Sequence, residues 1–407
     1  MADLFWPGDG RSGSLFDERS LFASLVEVEQ VWLRVLAGAG VAPAEAAVDL
    51  EDLLGDDDRK AVTEQAEASG NPVVPLVALL RERLTTPSPE AARWLHRGLT
   101  SQDVLDTGLI SCAAATRDLL TVQLTGQITT LVELIQKHRD DVMAGRTLTQ
   151  HAVPITFGLK AASWLTGILD ARDDLRALRF PVQIGGAAGT LAAAVELAGD
   201  ADAAQFLVAE TARTLELDNA PPWHTSRAPF TRYADALVRV TDAVGHIAND
   251  VLLLSRPEIG ELAEKSKKGW GGSSTMPQKA NPVLSVLVRR AALSAPMLAA
   301  QLHLAAAEQV DERATGGWHT EWSALSQLSR HTLTASSQAA DLLAGLQVHS
   351  ARMASNAGLD DLLAEQHSIA DLTGADHRSD PTTYLGAAGG IIDEVLARAE
   401  DDQEERL

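Results

Sequence analysis

Proline is spread so unevenly along this chain that the gaps between prolines decide what it can fold into. None occurs between Glu90 and Val153, and a second gap runs from Phe230 to Arg256. Proline removes a backbone donor and clashes with the preceding turn, so such gaps are where long helices can run. In the first gap Leu105, Leu109, Cys112, Leu120, Leu124, Ile128, Leu131 and Ile135 share one helical face. This predicts a helix of unusual length, entered at Thr100 or Ser101 as its N-cap. In the second gap Tyr233, Leu237, Val240, Val244, Ile247, Val251 and Leu254 alternate spacings of four and three. That heptad predicts a helix packed lengthwise against others, as in a bundle. A third helix starts at Pro282, runs through Val283, Leu287 and Leu293 and kinks at Pro296. Its first turns are apolar nearly all round and should be buried.

Aromatic residues make up only 4% of the chain, whereas Ala and Leu abound, which favours helix over sheet. The expected fold is all-α, with a small N-terminal helical domain over 1–100, a central long-helix bundle over 101–350 and an acidic helical tail over 351–407. Three long apolar helices have more surface to bury than one chain covers, so a homo-oligomer is expected over a monomeric bundle.

With 34 Lys and Arg against 56 Asp and Glu, the net charge is −22. A chain this acidic lacks the footprint of a nucleic-acid binder or of a protein held on anionic lipid. The single Cys112 excludes an intrachain disulfide and a cysteine metal cage, and it suits a reducing cytosol. The first residues are acidic and mixed, unlike a signal peptide, and no stretch reads as the roughly 18 apolar residues of a membrane span. A cytoplasmic protein is expected, without nucleic-acid or membrane partners.

Acids are missing from three windows. Between Glu264 and Glu308 stand Lys265, Lys267, Lys268, Lys279, Arg289 and Arg290; Val142 to Leu169 holds Arg146, His151 and Lys160; Asn219 to Ala234 holds His224, Arg227 and Arg232. If they converge, these cations without counter-ions form a local positive pocket for a small polyanion. The segment from Gly269 to Pro282 is too rich in glycine and serine for helix and leads into one. It reads either as an ordinary flexible loop or as an anion site at a helix N-terminus. Phe180 to Gly189 lacks the Gly-x-Gly-x-x-Gly spacing of a dinucleotide turn, and no histidine has metal-ligand spacing, so neither a bound cofactor nor a metal is expected.

Gly272-Ser273-Ser274-Thr275-Met276-Pro277-Gln278-Lys279-Ala280-Asn281-Pro282 resembles the signature of the fumarase/aspartase superfamily. His96 to Asp103 and Gly145 to Pro154 resemble its first and second substrate-binding regions. Gln150-His151-Ala152, Gly185 to Gly189, Pro222 to Thr225 and Gly317 to Trp322 narrow the likeness to the bacterial 3-carboxy-cis,cis-muconate cycloisomerases. Many superfamily members place a histidine where this chain has Leu148, and the cycloisomerases also lack it. The tail is short between about Leu359 and Thr382 compared with the family.

The resemblance implies three helical domains with a central long-helix bundle, a homotetramer with active sites shared between subunits, and chemistry without cofactor or metal. The implied reaction converts 3-carboxy-cis,cis-muconate to the carboxymuconolactone in protocatechuate breakdown. The alternatives are a β-eliminating lyase releasing fumarate from adenylosuccinate or another substituted succinate, and a non-catalytic structural relative. Addition next to a carboxylate needs groups that hold the polycarboxylate, stabilise the aci-carboxylate and deliver a proton to carbon. The resemblance gives proton transfer to Ser273, with Ser274 beside it, or to His151, and leaves that choice open. Lys279 and Asn281 stabilise charge, while His96, Thr100, Ser101, Arg146, Thr147, Gln150, Arg313, Trp318 and His319 bind substrate.

Overall fold

The computed structural model describes residues 3–265, 270–272, 275–276, 279–358 and 360–404. Its helices run in chain order as α1 (Glu18–Gly38), α2 (Asp56–Ser69), α3 (Val73–Leu84), α4 (Pro89–Trp94), α5 (Ser101–Lys137), α6 (Phe157–Arg176), α7 (Ala192–Ala198) and α8 (Ala201–Thr214). They continue as α9 (Ala228–Leu254), α10 (Val283–Ala307), α11 (Gly317–Ala344), α12 (Ser350–Ala357), α13 (Ala364–Thr373) and α14 (Ala388–Glu404). Beside short 3-10 turns the described residues hold two antiparallel strand pairs, the hairpin of β1 (Val142–Thr147) with β2 (Gln150–Thr156), and the distant pairing of β3 (Leu262–Glu264) with β4 (Leu346–Val348). The fold is all-α, as composition and proline spacing predict.

The long helices form where the apolar faces lie. Each of the eight residues of the first periodic run is buried on α5, and each heptad residue from Tyr233 to Leu254 is buried on α9. Thr100 is the N-cap of α5, with a reversed device: its backbone N–H donates to Asp103 Oδ2 at 2.9 Å, while its hydroxyl is left for another partner. The helix after Pro282 runs from Val283 to Ala307 with Pro296 inside it. It is not buried all round. Val286, Leu293, Met297 and Leu304 are half or more exposed, at spacings of seven, four and seven. An 18-residue window of this helix has a mean hydropathy of 1.5, so by length and composition alone it is apolar enough to cross a membrane, although Arg289 and Arg290 interrupt its apolar run.

The chain divides into two compact units. The first comprises residues 1–119, 177–235 and 296–331. Here α1 packs on α8 and α2 on α3, around a core that includes Trp32, Leu33, Leu36, Leu76 and Leu80. Arg330 ties down the N-terminal segment by donating to both carboxylate oxygens of Asp9 and to the carbonyls of Gly13 and Leu15.

The second unit comprises residues 120–176, 236–295 and 332–407. Small residues let its helices approach closely: a Cβ at Gly245 of α9 would stand 2.5 Å from the Ala292 side chain of α10. Asp250 of α9 accepts from the Trp164 indole of α6 at 2.8 Å, and Gln127 of α5 donates to the Ser336 carbonyl of α11 at 2.9 Å. Arg398 stitches α14 to α6 through Asp170 and Asp173.

Candidate active site

In the first unit the segment from His96 to Asp106 is held by a buried polar network. Asp103 is fully buried and satisfies five donors: the backbone N–H groups of Thr100, Gly185 and Gly186, Gln183 Nε2 at 3.4 Å, and His224 Nε2 at 3.0 Å. One carboxylate thus shapes both the start of α5 and the glycine-rich turn at Gly185 to Gly189. That turn has no room for larger residues, since a Cβ at Gly185 would lie 2.7 Å from His224 Cε1. Gln102 donates to Asp106 Oδ2 and to the His224 carbonyl. Asp106 in turn accepts from Arg227 and from the Trp318 indole at 2.9 Å.

Arg227 lies fully buried between Asp106 and Glu321, against the faces of Trp223 and Phe230. Burial disfavours its charge, but the two carboxylates outweigh that and hold its pKa above the ordinary arginine value. One guanidinium cannot balance two acids, so burial and the Asp106 charge push the Glu321 carboxyl upward.

This scaffold presents Arg313. Its Nη2 donates to Thr100 Oγ1 at 2.8 Å and its Nε to Gln102 Oε1 at 3.0 Å, with its guanidinium 5.8 Å from the Trp318 ring centroid. All its hydrogen-bond partners among the described residues are neutral. Ser101 begins α5 beside it, and His319 is exposed next to the buried Trp318 at the start of α11. His96 is mostly buried and meets Glu29 of α1, with Nδ1 and Oε1 2.5 Å apart. The first unit therefore brings Thr100 and Arg313 into contact, sets Trp318 against Arg313, and anchors His96 and His319 nearby in sequence.

The second unit carries the second and third blocks. Residues 142–156 form a β-hairpin that sequence reading did not foresee, with Arg146 opposite His151 and Thr147 opposite Gln150. Its turn residues, Leu148 and Thr149, both have left-handed backbone (φ 49° and 72°), a conformation costly for residues with a Cβ. Thr147, Gln150 and His151 are exposed around that tip. Arg146, expected to touch substrate, spends both terminal nitrogens on the fully buried Glu261 at 2.9 and 2.7 Å, and Asn356 completes that carboxylate.

The signature loop lies partly outside the description: Ser273 and Ser274 are not among the described residues, nor are Lys267 and Lys268. Asn281 staples the loop by donating from its backbone and side-chain nitrogens to the Gly271 carbonyl at 2.8 and 3.0 Å. Gly271 has φ 68°, and a Cβ there would approach the Asn281 carbonyl to 2.5 Å, so only glycine fits. Lys279 is exposed. A cavity of about 370 Å³ beside the loop is lined by Glu264, Lys265, Trp270, Asn281 and Asp341 among others. No hydrogen bond or ion pair among the described residues joins the hairpin residues Thr147, Gln150 and His151 to Lys279 or Asn281.

Two electrostatic expectations need correction. Three cations of the acid-free windows have counter-ions from elsewhere in the chain: Arg146 has Glu261, Lys160 has Asp250, and Arg227 has Asp106 and Glu321. The start of α10 is also occupied by an internal anion. Glu264 accepts from the N–H groups of Leu284 and Ser285 and from the Ser285 hydroxyl, at 3.1, 2.8 and 2.7 Å.

Residues 15–296 match the model of the lyase family, and the chain belongs to it, within the fumarase/aspartase superfamily. It is an enzyme of the lyase and cycloisomerase kind, close to the 3-carboxy-cis,cis-muconate cycloisomerases. It is 40% identical to the 3-carboxy-cis,cis-muconate cycloisomerase of Bradyrhizobium diazoefficiens, over 84% of this chain and 75% of that protein. It is 37% identical to a nitrosuccinate lyase of Streptomyces davaonensis, over 92% of this chain and 90% of that one. The crystal structure of 3-carboxy-cis,cis-muconate lactonizing enzyme from Pseudomonas putida superposes with a TM-score of 0.86 at 31% identity, covering 96% of this chain and 97% of that one.

The sequence alone gives no role to Glu29, Asp103, Asp106 and Glu321, the acids that hold the candidate residues of the first unit, nor to Glu261, which holds Arg146 in the second. The signal available was the placement of Asp103 and Asp106 three residues apart in the first turns of an apolar helix, where an acid needs a buried partner.

Proposed function

We propose that the protein is a cofactor-independent cycloisomerase that converts 3-carboxy-cis,cis-muconate to the carboxymuconolactone in protocatechuate catabolism, in the cytoplasm. The observation that carries this reading is Arg313, a half-buried cation at the start of α5 whose partners are neutral and which can take a substrate carboxylate bidentately. Thr100 and Ser101 add hydroxyl donors, while His319 and the Trp318 face bound the same end of α11. In this reading, attack of one substrate carboxylate on the conjugated double bond places negative charge on the neighbouring carboxylate. Lys279 and Asn281 stabilise that charge, and Ser273 or His151 delivers the proton to carbon.

The active form in this reading is a homotetramer that completes each site from several subunits. Two observations support it. The apolar stripe of Val286, Leu293, Met297 and Leu304 has the spacing of a bundle seam, and His151 and Lys279 are exposed on the single chain, where water would weaken their charge chemistry. The central bundle over 101–350 is the natural seat of that assembly.

A second reading is β-elimination from a substituted succinate, favoured by the likeness to a nitrosuccinate lyase along nearly the whole of both chains. Both reactions load negative charge on a carboxylate beside the reacting carbon, so the same cations serve either. Assays of the purified protein with 3-carboxymuconate, nitrosuccinate, adenylosuccinate and argininosuccinate separate the readings. Loss of the conjugated diene from the first alone supports the cycloisomerase, whereas fumarate appearing from any of the others supports elimination.

A further inference from the structure

Glu29 is a fully buried acid that the proposed chemistry leaves without a task. It lies in α1 among Val26, Val28, Val31 and Trp32, with no exposed surface. Burying a carboxylate in such surroundings costs several kcal/mol unless it is paired. One oxygen meets His96 Nδ1 at 2.5 Å, and the other is buried with no hydrogen-bond partner among the described residues. The contact with His96 is thus the one polar tie of this carboxylate among the described residues. His96 is itself held in a left-handed backbone conformation, φ 61°, next to the block that presents Thr100 and Ser101. The Trp32 indole fixes that strained segment by donating to the Arg97 carbonyl at 2.7 Å, and Arg81 donates to the Leu95 carbonyl at 2.8 Å. Strain of this kind persists where surrounding structure over-determines it, and it clusters at sites that handle ligands.

We propose that Glu29 is a positioning residue: it fixes the His96 imidazole through Nδ1, so that Nε2–H is offered to a carboxylate of the substrate. The charged groups that act on His96 come from three helices: Glu29 of α1, Arg81 of α3 and Asp103 of α5. Burial and Arg81 oppose the charge, and Glu29, helped by Asp103, outweighs them, so the histidine titrates above its ordinary value. The identity of the ligand rests on the proposed function. The coupling between Glu29 and His96 does not.

The test uses the full chain with 13Cε1-labelled histidine, in which the His96 signal is the one lost in His96→Gln. In the wild type this signal should titrate above about 6.5, the ordinary histidine value. Glu29→Gln, which keeps the shape and removes the charge, should lower that midpoint by about 1–3 pH units. The basic limb of the kcat/KM profile, read with whichever carboxylate substrate the protein turns over, should move down with it, because kcat/KM then requires the cation. A merely structural pairing would shift stability and leave that limb in place. A wild-type midpoint at or below the ordinary value, or no response to Glu29→Gln, overturns the coupling. A shifted midpoint with an unmoved limb overturns the role in substrate binding. Should Glu29→Gln fail to fold, Glu29→Asp, which withdraws the carboxylate by one methylene, takes its place with the same outcomes. The titration needs no substrate, so a failure to turn over carboxymuconate leaves it standing.

Discussion

Arg313 Nη2 stands 2.8 Å from the hydroxyl of Thr100, a residue whose backbone N–H is already served by Asp103. The N-cap hydroxyl of α5 is thereby diverted from its helix to a cation, and the cation has no carboxylate partner among the described residues. A neutral-partnered, half-buried guanidinium is a costly feature for a chain to keep unless an anionic ligand completes it.

Arg313→Ala should therefore weaken substrate capture. A hydrogen bond to a charged group contributes about 1.5–3 kcal/mol, so KM should rise roughly tenfold to a hundredfold with a smaller effect on kcat. Arg313→Lys should recover only part of the loss, because a point charge cannot reproduce the fork on a carboxylate. Steady-state kinetics of both variants check this. Unchanged KM in Arg313→Ala would give the arginine a purely structural role.

Lys279 should behave in the opposite way. If it stabilises charge that grows in the transition state, Lys279→Met lowers kcat by about a hundred- to a thousandfold with little change in KM. Lys267→Met and Lys268→Met, in the same basic segment, should show small, salt-sensitive effects on capture alone. Equal behaviour of all three variants would reduce the segment to a solvated basic face.

The exposed stripe on α10 predicts assembly. Leu293→Glu with Met297→Glu places two charges on a seam whose residues are 69% and 71% exposed in the single chain, so the fold of the chain should survive. Light scattering should show the wild type as a tetramer and the double variant as smaller species with lost activity. Mixing inactive Ser273→Ala and His151→Ala chains should restore activity after subunit exchange. A monomeric, fully active wild type would contradict shared sites.

Asp141 gives a pH dependence of stability. Burial raises its pKa, but hydrogen bonds from the Ser350 hydroxyl and His138 win and hold it below the ordinary aspartate value. A depressed acid contributes stability that is fully present above its unfolded value and is lost as pH falls through the folded one. The thermal midpoint of the wild type should fall on acidification below about pH 4, the unfolded aspartate range. Asp141→Asn should show a lower midpoint at neutral pH and a shallower acid slope, and parallel curves would remove Asp141 from the account.

What the sequence revealed and what it hid follow from the range of the interactions. The α5 and α9 faces were legible because helical periodicity is local, and the signature loop was legible because its residues are contiguous. The positioning network was not, since Asp103 meets His224 across 121 residues and Glu29 meets His96 across 67. The acid-free windows misled for the same reason: Arg146 finds Glu261 115 residues away. The anion at the start of α10 was nearer, yet Glu264 reads as the edge of a basic segment until β3 places its carboxylate over the helix. The hairpin at 142–156 escaped because Leu148 and Thr149 are poor residues for a tight turn.

The most direct measurement follows the ultraviolet absorbance of 3-carboxy-cis,cis-muconate with purified protein, together with NMR of the product. Bleaching of the conjugated diene and a carboxymuconolactone as the sole product are expected, at the same rate with and without chelator. An unchanged diene, alongside fumarate released from nitrosuccinate or another substituted succinate, would contradict the cycloisomerase reading.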